Sequence, residues 1–569
     1  MTENAIPQQP GGSWAGPSAG RPPVHPSLSE AGRFLCAGTY LDAGYRDRVI
    51  DELYVHEERI VAPSYGYDAS RVLAHALRAR RAELGWAAGV LGAWFVGALL
   101  TGGALAALIL PFLALSLADW LRARNVPVLR VLSVVVRIYV WWMLIAVLAV
   151  LGFGGGFQLL GFLDEMGGSG ISPFAPSGAE AGGAAALWWL PVVFAAVVTV
   201  VGLQRGHVFR TIATDLSEPR YADHANDQAE AADGARFQRV RQRIRAEQHA
   251  PMIMYDVNDP FCGAGDPFRP WQLSVELRPR EDLGPGRKPV AVTNAHILAR
   301  IVPLLERLRV PSPHGSPEQA AAVGDRMREL VLDECVFLPA GGLPHRDTAQ
   351  VVHGQFGEQR AAAIEEGGER RRHFLRVRVG GWDENLVVTV FVRVHTQGGM
   401  MMLEVAPHLL LPVRTDFHNA DADAQRYRNN SGFGKAVWAL RNTPGSLAAS
   451  AATLGRGLAS WWRIVTGGHG GARPEGPRVS VRELASEDNG SLFHLMDLDR
   501  FLKTIQDRVV GGVVLALHEA GWHTEEFAQR AVNVAEGGVF IQSVNHSAFS
   551  VGGSNNTNST KVRRSTGGN

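Results

Sequence analysis

Three long runs without a charged side chain, 86–118, 138–163 and 184–204, constrain this chain more than any other feature. Each is rich in Leu, Val, Ala and Trp. About 20 helical residues, rising about 1.5 Å each, cross a hydrocarbon core of about 30 Å, so every run is long enough to span. Lipid offers the backbone no hydrogen-bond partner, and a helix satisfies its own peptide groups. The sequence predicts an α-helical membrane unit over 85–205.

Charge placement sets the number of crossings. As one helix the first run would extend about 50 Å, whereas a fold at Gly102-Gly103 divides it into two helices of about 24 Å. Arg78, Arg80 and Arg81 precede it, and Arg122, Arg124, Arg130 and Arg137 follow it. Basic residues are held on the cytoplasmic side, so a short hairpin satisfies both flanks; whether 86–118 is a full hairpin or a re-entrant segment stays open. The third helix then runs outward with Trp141 and Trp142 at the inner headgroups. The fourth returns from Trp188 and Trp189 at the outer ones. The loop between them carries only Asp164, Glu165 and Glu180, and Arg205 and Arg210 close the unit on the inside. The expectation is a multi-pass protein of the cytoplasmic membrane, with four transmembrane helices and both termini cytoplasmic. Arg137, at the basic end of its helix, is read as snorkelling to the interface and not as lining an ion path.

Around this unit the 569 residues divide into a tail (1–30), a cytoplasmic helical segment (31–84), an α+β domain (206–466), a linker (467–478), a C-terminal α+β segment (479–551) and a tail (552–569). Pro63 and Gly66 break the first helical segment, whose Arg71, Arg78, Arg80 and Arg81 are expected at anionic headgroups. A second basic helix over 227–249, with Arg236, Arg239, Arg241, Arg243 and Arg245, reads as a solvated membrane-proximal element. Nucleic acid is disfavoured there because stacking aromatics are nearly absent. Strands are predicted at 252–257 and 271–277, a helix at 292–308, and an antiparallel meander at 374–379, 386–395 and 400–411. In its middle strand Val388, Val390, Val392 and Val394 form a core face. Thr389, Phe391, Arg393 and His395 point the other way, toward solvent or a partner. A helix over 447–465 places Leu447, Ala451, Leu454, Leu458, Trp461 and Val465 on one stripe, for docking or for the membrane interface. Asp497 is expected to cap the last long helix.

Chemistry is sparse. Cys36, Cys262 and Cys335 have no metal-site spacing, and the sequence implies no metal and no cofactor. The turn Asn258-Asp-Pro-Phe-Cys-Gly-Ala-Gly-Asp-Pro-Phe-Arg269 is the one candidate ligand site, built from Asp259, Cys262, Gly263, Gly265, Asp266 and Arg269. Phosphate loops open a helix, however, and this one enters a strand. His345-Arg-Asp347 lacks the remaining kinase motifs, and His518 and His523 are spaced too far apart to share a helix face. Asp333, Glu334 and Cys335, read as helical, point apart.

Ala62-Pro-Ser-Tyr-Gly-Tyr67, Pro260-Phe-Cys-Gly-Ala-Gly265 and Val390-Phe-Val-Arg-Val-His395 resemble uncharacterised multi-pass membrane proteins of high-GC actinobacteria. The resemblance covers most of the chain, implies the architecture and carries over no functional residue. The reading is a membrane-anchored sensor or partner-recruiting protein in contact with the bilayer, with a cytoplasmic protein as its partner and scope for self-association. Its alternatives are a tethered enzyme using the 258–270 turn and a small channel or transporter.

Overall fold

Side-chain caps fix where the N-terminal helices begin. Ser29 accepts the Gly32 N–H at the start of α1 (Glu30–Leu41), and Asp42 accepts from Gly44 and Tyr45 at the start of α2 (Ala43–Ile50). Asp68 caps α3 (Ala69–Leu100). The computed structural model describes residues 26–101, 109–123, 127–152, 183–231, 234–283, 288–309, 327, 329–365, 369–381 and 386–535.

All three apolar runs contain helix, but the first does not start its own. α3 continues the preceding segment as one rod of about 48 Å, carrying Arg71, Arg78, Arg80 and Arg81 along its first half. It stops at Leu100, and the expected fold at Gly102-Gly103 lies outside the described residues. α4 (Ile109–Ala123), α5 (Pro127–Gly152) and α6 (Gly183–Thr214) follow. Among the described residues two helices, Ala69–Leu100 and Pro191–Thr214, are long and apolar enough to cross a membrane. Only 22% and 17% of their apolar windows are buried, which sets them apart from the core helices of a soluble domain. Their shared core is small, centred on Val90, Trp94, Phe112, Val140, Val193 and Val197. Phe95, Leu99, Val131, Ile138, Tyr139, Trp141 and Trp142 face outward.

The soluble region is built on a mixed seven-stranded sheet of order β1-β4-β5-β6-β7-β2, with β3 also paired to β7. Its strands are β1 (Met252–Tyr255), β2 (Asp266–Pro267), β3 (Trp271–Glu276), β4 (Glu329–Pro339), β5 (Arg372–Gly381), β6 (Leu386–Gln397) and β7 (Met400–Leu410). The predicted meander is present as β5, β6 and β7, and β1 pairs in parallel with β4. β4 corrects the helical reading of Asp333 to Cys335. This strand is covered on both faces, so its apolar residues form a near-continuous run and the period-two signal vanishes.

One sheet face packs on α8 (Asn294–Glu306), α9 (Phe356–Glu365), α12 (Leu492–Glu519) and α13 (Glu525–Ala535) through Val388, Val390, Val392, Ile301, Ile364, Ile505 and Phe527. The opposite face of β6 is buried too: Thr389 is fully enclosed, and Phe391 packs on the chain's own Tyr65, Phe261 and Phe374. The helix α12 starts at Leu492 with Ser491 as its cap, which corrects the placement of that cap at Asp497. A second core joins α1, α2 and the start of α3 to residues 413–424 and 481–485, so the 31–84 segment packs into the body that follows the helical unit.

Two groups of arginines differ from expectation. Arg71 is buried, paired with Asp227 at 2.9 Å and lying 3.6 Å over the Tyr221 ring. On α7 (Ala235–Glu247), Arg236 and Arg243 pair with Glu57, while Arg241 and Arg245 meet Glu230. These cations balance acids inside the fold, and only Arg239 of that series is exposed.

Candidate functional site

The 258–270 turn lies between the sheet and two segments packed on it, touching Pro63 and Glu483. It leaves β1, crosses the sheet face and returns as β2 and β3 on the far side of β7. Gly263 and Gly265 have φ of +99° and +91°, and a Cβ on them would fall 2.7 Å from the Pro63 carbonyl and 2.1 Å from the Leu409 carbonyl. Only glycine fits both the conformation and the approach. The three stretches that carry the family resemblance therefore converge: Pro63 covers Gly263, and the Phe261 and Phe391 rings lie 4.8 Å apart.

The amides of this turn do point at an anion, and the protein supplies it. Gly263 and Gly265 donate to Glu483 Oε1 at 2.7 and 2.9 Å, and Ser480 donates to Oε2 at 3.1 Å. Burial raises the Glu483 carboxyl, against the pull of these three N–H groups. Cys262 lies 3.8 Å from the same carboxylate; burial and that negative neighbour push its thiol far above the usual range, which removes it as a nucleophile. Asp259 and Asp266 are exposed. Arg269 is exposed as well, with φ of +48° and Asp499 at 4.0 Å. The six predicted residues thus form a structural turn whose cradle is filled from within. Beside it Gly265, Leu409 to Leu411, Glu483 and Glu487 line a cleft of about 260 Å³ that contains no basic side chain, an environment hostile to phosphate.

The predicted interface residues divide by depth. Arg78 donates to Asp215 at 2.8 Å and Arg80 to the Arg456 carbonyl, while Arg81 and Arg122 are exposed. Arg137 is half-buried on α5, Trp141 and Trp142 are exposed, and Trp188 and Trp189 occupy the first turns of α6. Arg124 lies outside the described residues. Arg205 is held over Trp438 at 3.8 Å and near the rings of Phe209 and Tyr427. Phe209 lies on α6 itself, Tyr427 comes from α10 (Ala420–Asn429) and Trp438 from α11 (Gly432–Thr466).

α11 is the element that sequence periodicity underestimated. It begins well before residue 447 and lies along α3, α4 and α6. Its packing face is a seam of small residues, Ala439, Thr443, Ser446, Ser450, Thr453, Gly457 and Ser460, spaced alternately four and three apart. Leu458, Trp461 and Val465, from the stripe expected either to dock or to meet the membrane interface, point outward with Phe433 and Trp462, so they do not dock on the body. Small residues inside and large apolar residues outside is the arrangement of a helix packed in lipid.

Possible metal ligands gather at two places among the described residues: Asp68, His224 and Glu230, and His56, Glu58 and His469. In the first, Arg245 donates to Glu230 at 2.9 Å and lies 3.9 Å from Asp68, so a guanidinium already supplies the positive charge.

Taken together, these features define a helical unit with apolar outer faces, carrying an α+β body. Residues 270–548, just under half of the chain, match the family model described as an AbeC-like domain. That stretch takes in β3 to β7, α11 and α12, and leaves out α3 to α6 and most of the Gly turn. No curated protein and no solved structure matches the chain.

Proposed function

We propose that this chain is a multi-pass protein of the cytoplasmic membrane whose α+β body, on the cytoplasmic side, recruits a protein partner. We group it with the uncharacterised actinobacterial membrane proteins it resembles. The observation that carries the membrane part is the outward-facing apolar surface of α3, α5, α6 and α11, which in water would exceed what a soluble monomer tolerates. Four spans with both termini inside accord with the arginine placement, and Trp461, Trp462 and Arg463 suit α11 to the inner interface.

Recruitment is supported by a second apolar patch on the soluble body. Leu492, Phe493 and Met496 at the start of α12 are all largely exposed. Catalysis draws little support from the Gly turn, because its amides are engaged by Glu483. With a photo-crosslinking residue in place of Phe493 in the full-length protein in its native membrane, a discrete protein adduct is expected. Adducts to lipid alone, or none, would remove the recruiting role.

A further inference from the structure

His56 leaves the turn that ends α2, Glu58 follows two residues later, and His469 sits in the 3-10 turn just after α11. The two segments are bound by their backbones: Glu475 N–H donates to the Glu58 carbonyl, and Ile60 N–H donates to the Glu475 carbonyl. This double contact brings three side chains together whose ligand atoms all lie within 4.8 Å of one another.

The carboxylate at the centre is buried. Glu58 Oε1 is hydrogen-bonded to His56 Nδ1 at 2.6 Å. Oε2 is enclosed and accepts no hydrogen bond from the described residues; His469 Nδ1 stands 3.2 Å away, within ion-pair range but out of line for a hydrogen bond. That 3.2 Å separation suits two donor atoms of one ion, whereas the 2.6 Å contact between His56 and Glu58 is a hydrogen bond that the ion would replace. Ligands about 2.0–2.1 Å from a tetrahedral zinc stand about 3.3 Å apart. The imidazole rings meet edge to face at 4.4 Å, so both can present a nitrogen to one point. His56 also lines a cavity of about 20 Å³ with Glu57, Arg243 and Arg346, room for about one water.

We infer that His56, Glu58 and His469 form a site for a divalent first-row transition cation of the zinc type, with water completing the shell. Two imidazoles and a carboxylate are the donor set such ions prefer, and unlike the Asp68 cluster this one has no guanidinium at its centre. The ion ties the segment leading into α3 to the segment leaving α11, and so fastens the soluble body to both sides of the helical unit.

Full-length protein purified in detergent, stripped with EDTA and titrated with Zn²⁺, is expected to retain one ion per chain through gel filtration. Co²⁺ is expected to give the visible absorption of a four-coordinate nitrogen and oxygen site. His469→Ala and Glu58→Gln should each weaken binding by about 100-fold or more, since even loss of a supporting contact to a ligand costs 10–100-fold. His224→Ala should leave it unchanged. Elution profile and metal-free melting temperature report folding, and if Glu58→Gln does not fold, His469→Ala decides alone. Failure to retain zinc, or retention that both variants leave intact, overturns the site.

Discussion

Glu483 closes the Gly turn as a bound anion would, and its removal separates structural from ligand-binding roles. Glu483→Ala leaves the amides of Gly263, Gly265 and Ser480 without their acceptor and is expected to destabilise the full-length protein by about 3 kcal/mol. Glu483→Gln keeps an acceptor oxygen and should cost clearly less. Equal losses in denaturant melts of the two variants would contradict this account of the turn. Glu334 gives a pH-dependent counterpart. Burial works to raise its carboxyl, but the hydrogen bonds from His373 and Arg360 prevail and hold it at about 2, below the usual 4.5. Its stabilisation is therefore complete above about pH 4.5 and is lost as the pH falls from there through about 2. Glu334→Gln should flatten the stability profile in that window, and an unchanged slope would exclude the pair as its source. The glycines of the turn were legible in the sequence because their conformational demand is local. Their partner was not, since Glu483 lies 220 residues from Gly263 and nothing in either segment announces the other. The His56, Glu58 and His469 cluster escaped for the same reason: no spacing rule connects a His-x-Glu to a histidine in a Gly-rich segment after α11.

At the scale of elements, long apolar runs and the β-meander were readable, the meander because its β-branched runs are set off by Gly-rich turns even though β6 is buried on both faces. β4 has apolar residues facing both cores, and without alternation it could not be told from a helix. α11 shows the inverse error: its large apolar stripe faces outward, and its packing seam is small and partly polar, a pattern that core-seeking rules discard. The seam makes a specific demand at Gly457, where a Cβ would stand 2.7 Å from Leu84 Cδ2 of α3. Gly457→Leu should push α11 off the unit and lower the melting temperature in detergent, whereas Gly455→Leu, with no neighbour within 4 Å of the added carbon, should be tolerated. Equal behaviour of the two variants would mean that α11 is not seated through this face.

For the whole molecule, the amount of interior ion pairing is what composition concealed. A formal charge of +1 conveys nothing of Arg71, Arg236 and Arg243, which pair across the chain: Arg71 of α3 with Asp227, and Arg236 and Arg243 of α7 with Glu57. These contacts weld 31–84 to the body after α6, so the chain passes through the helical unit and returns to the core it left. Under the membrane role proposed above, such a fold places the segments before α3 and after α6 on one side of the bilayer, and hence an even number of crossings between them. The direct measurement is a topology reporter fused after Arg210, paired with a second before Ala69, in intact cells. Both reporters are expected in the cytoplasm. Display of either one outside the cell would contradict the account.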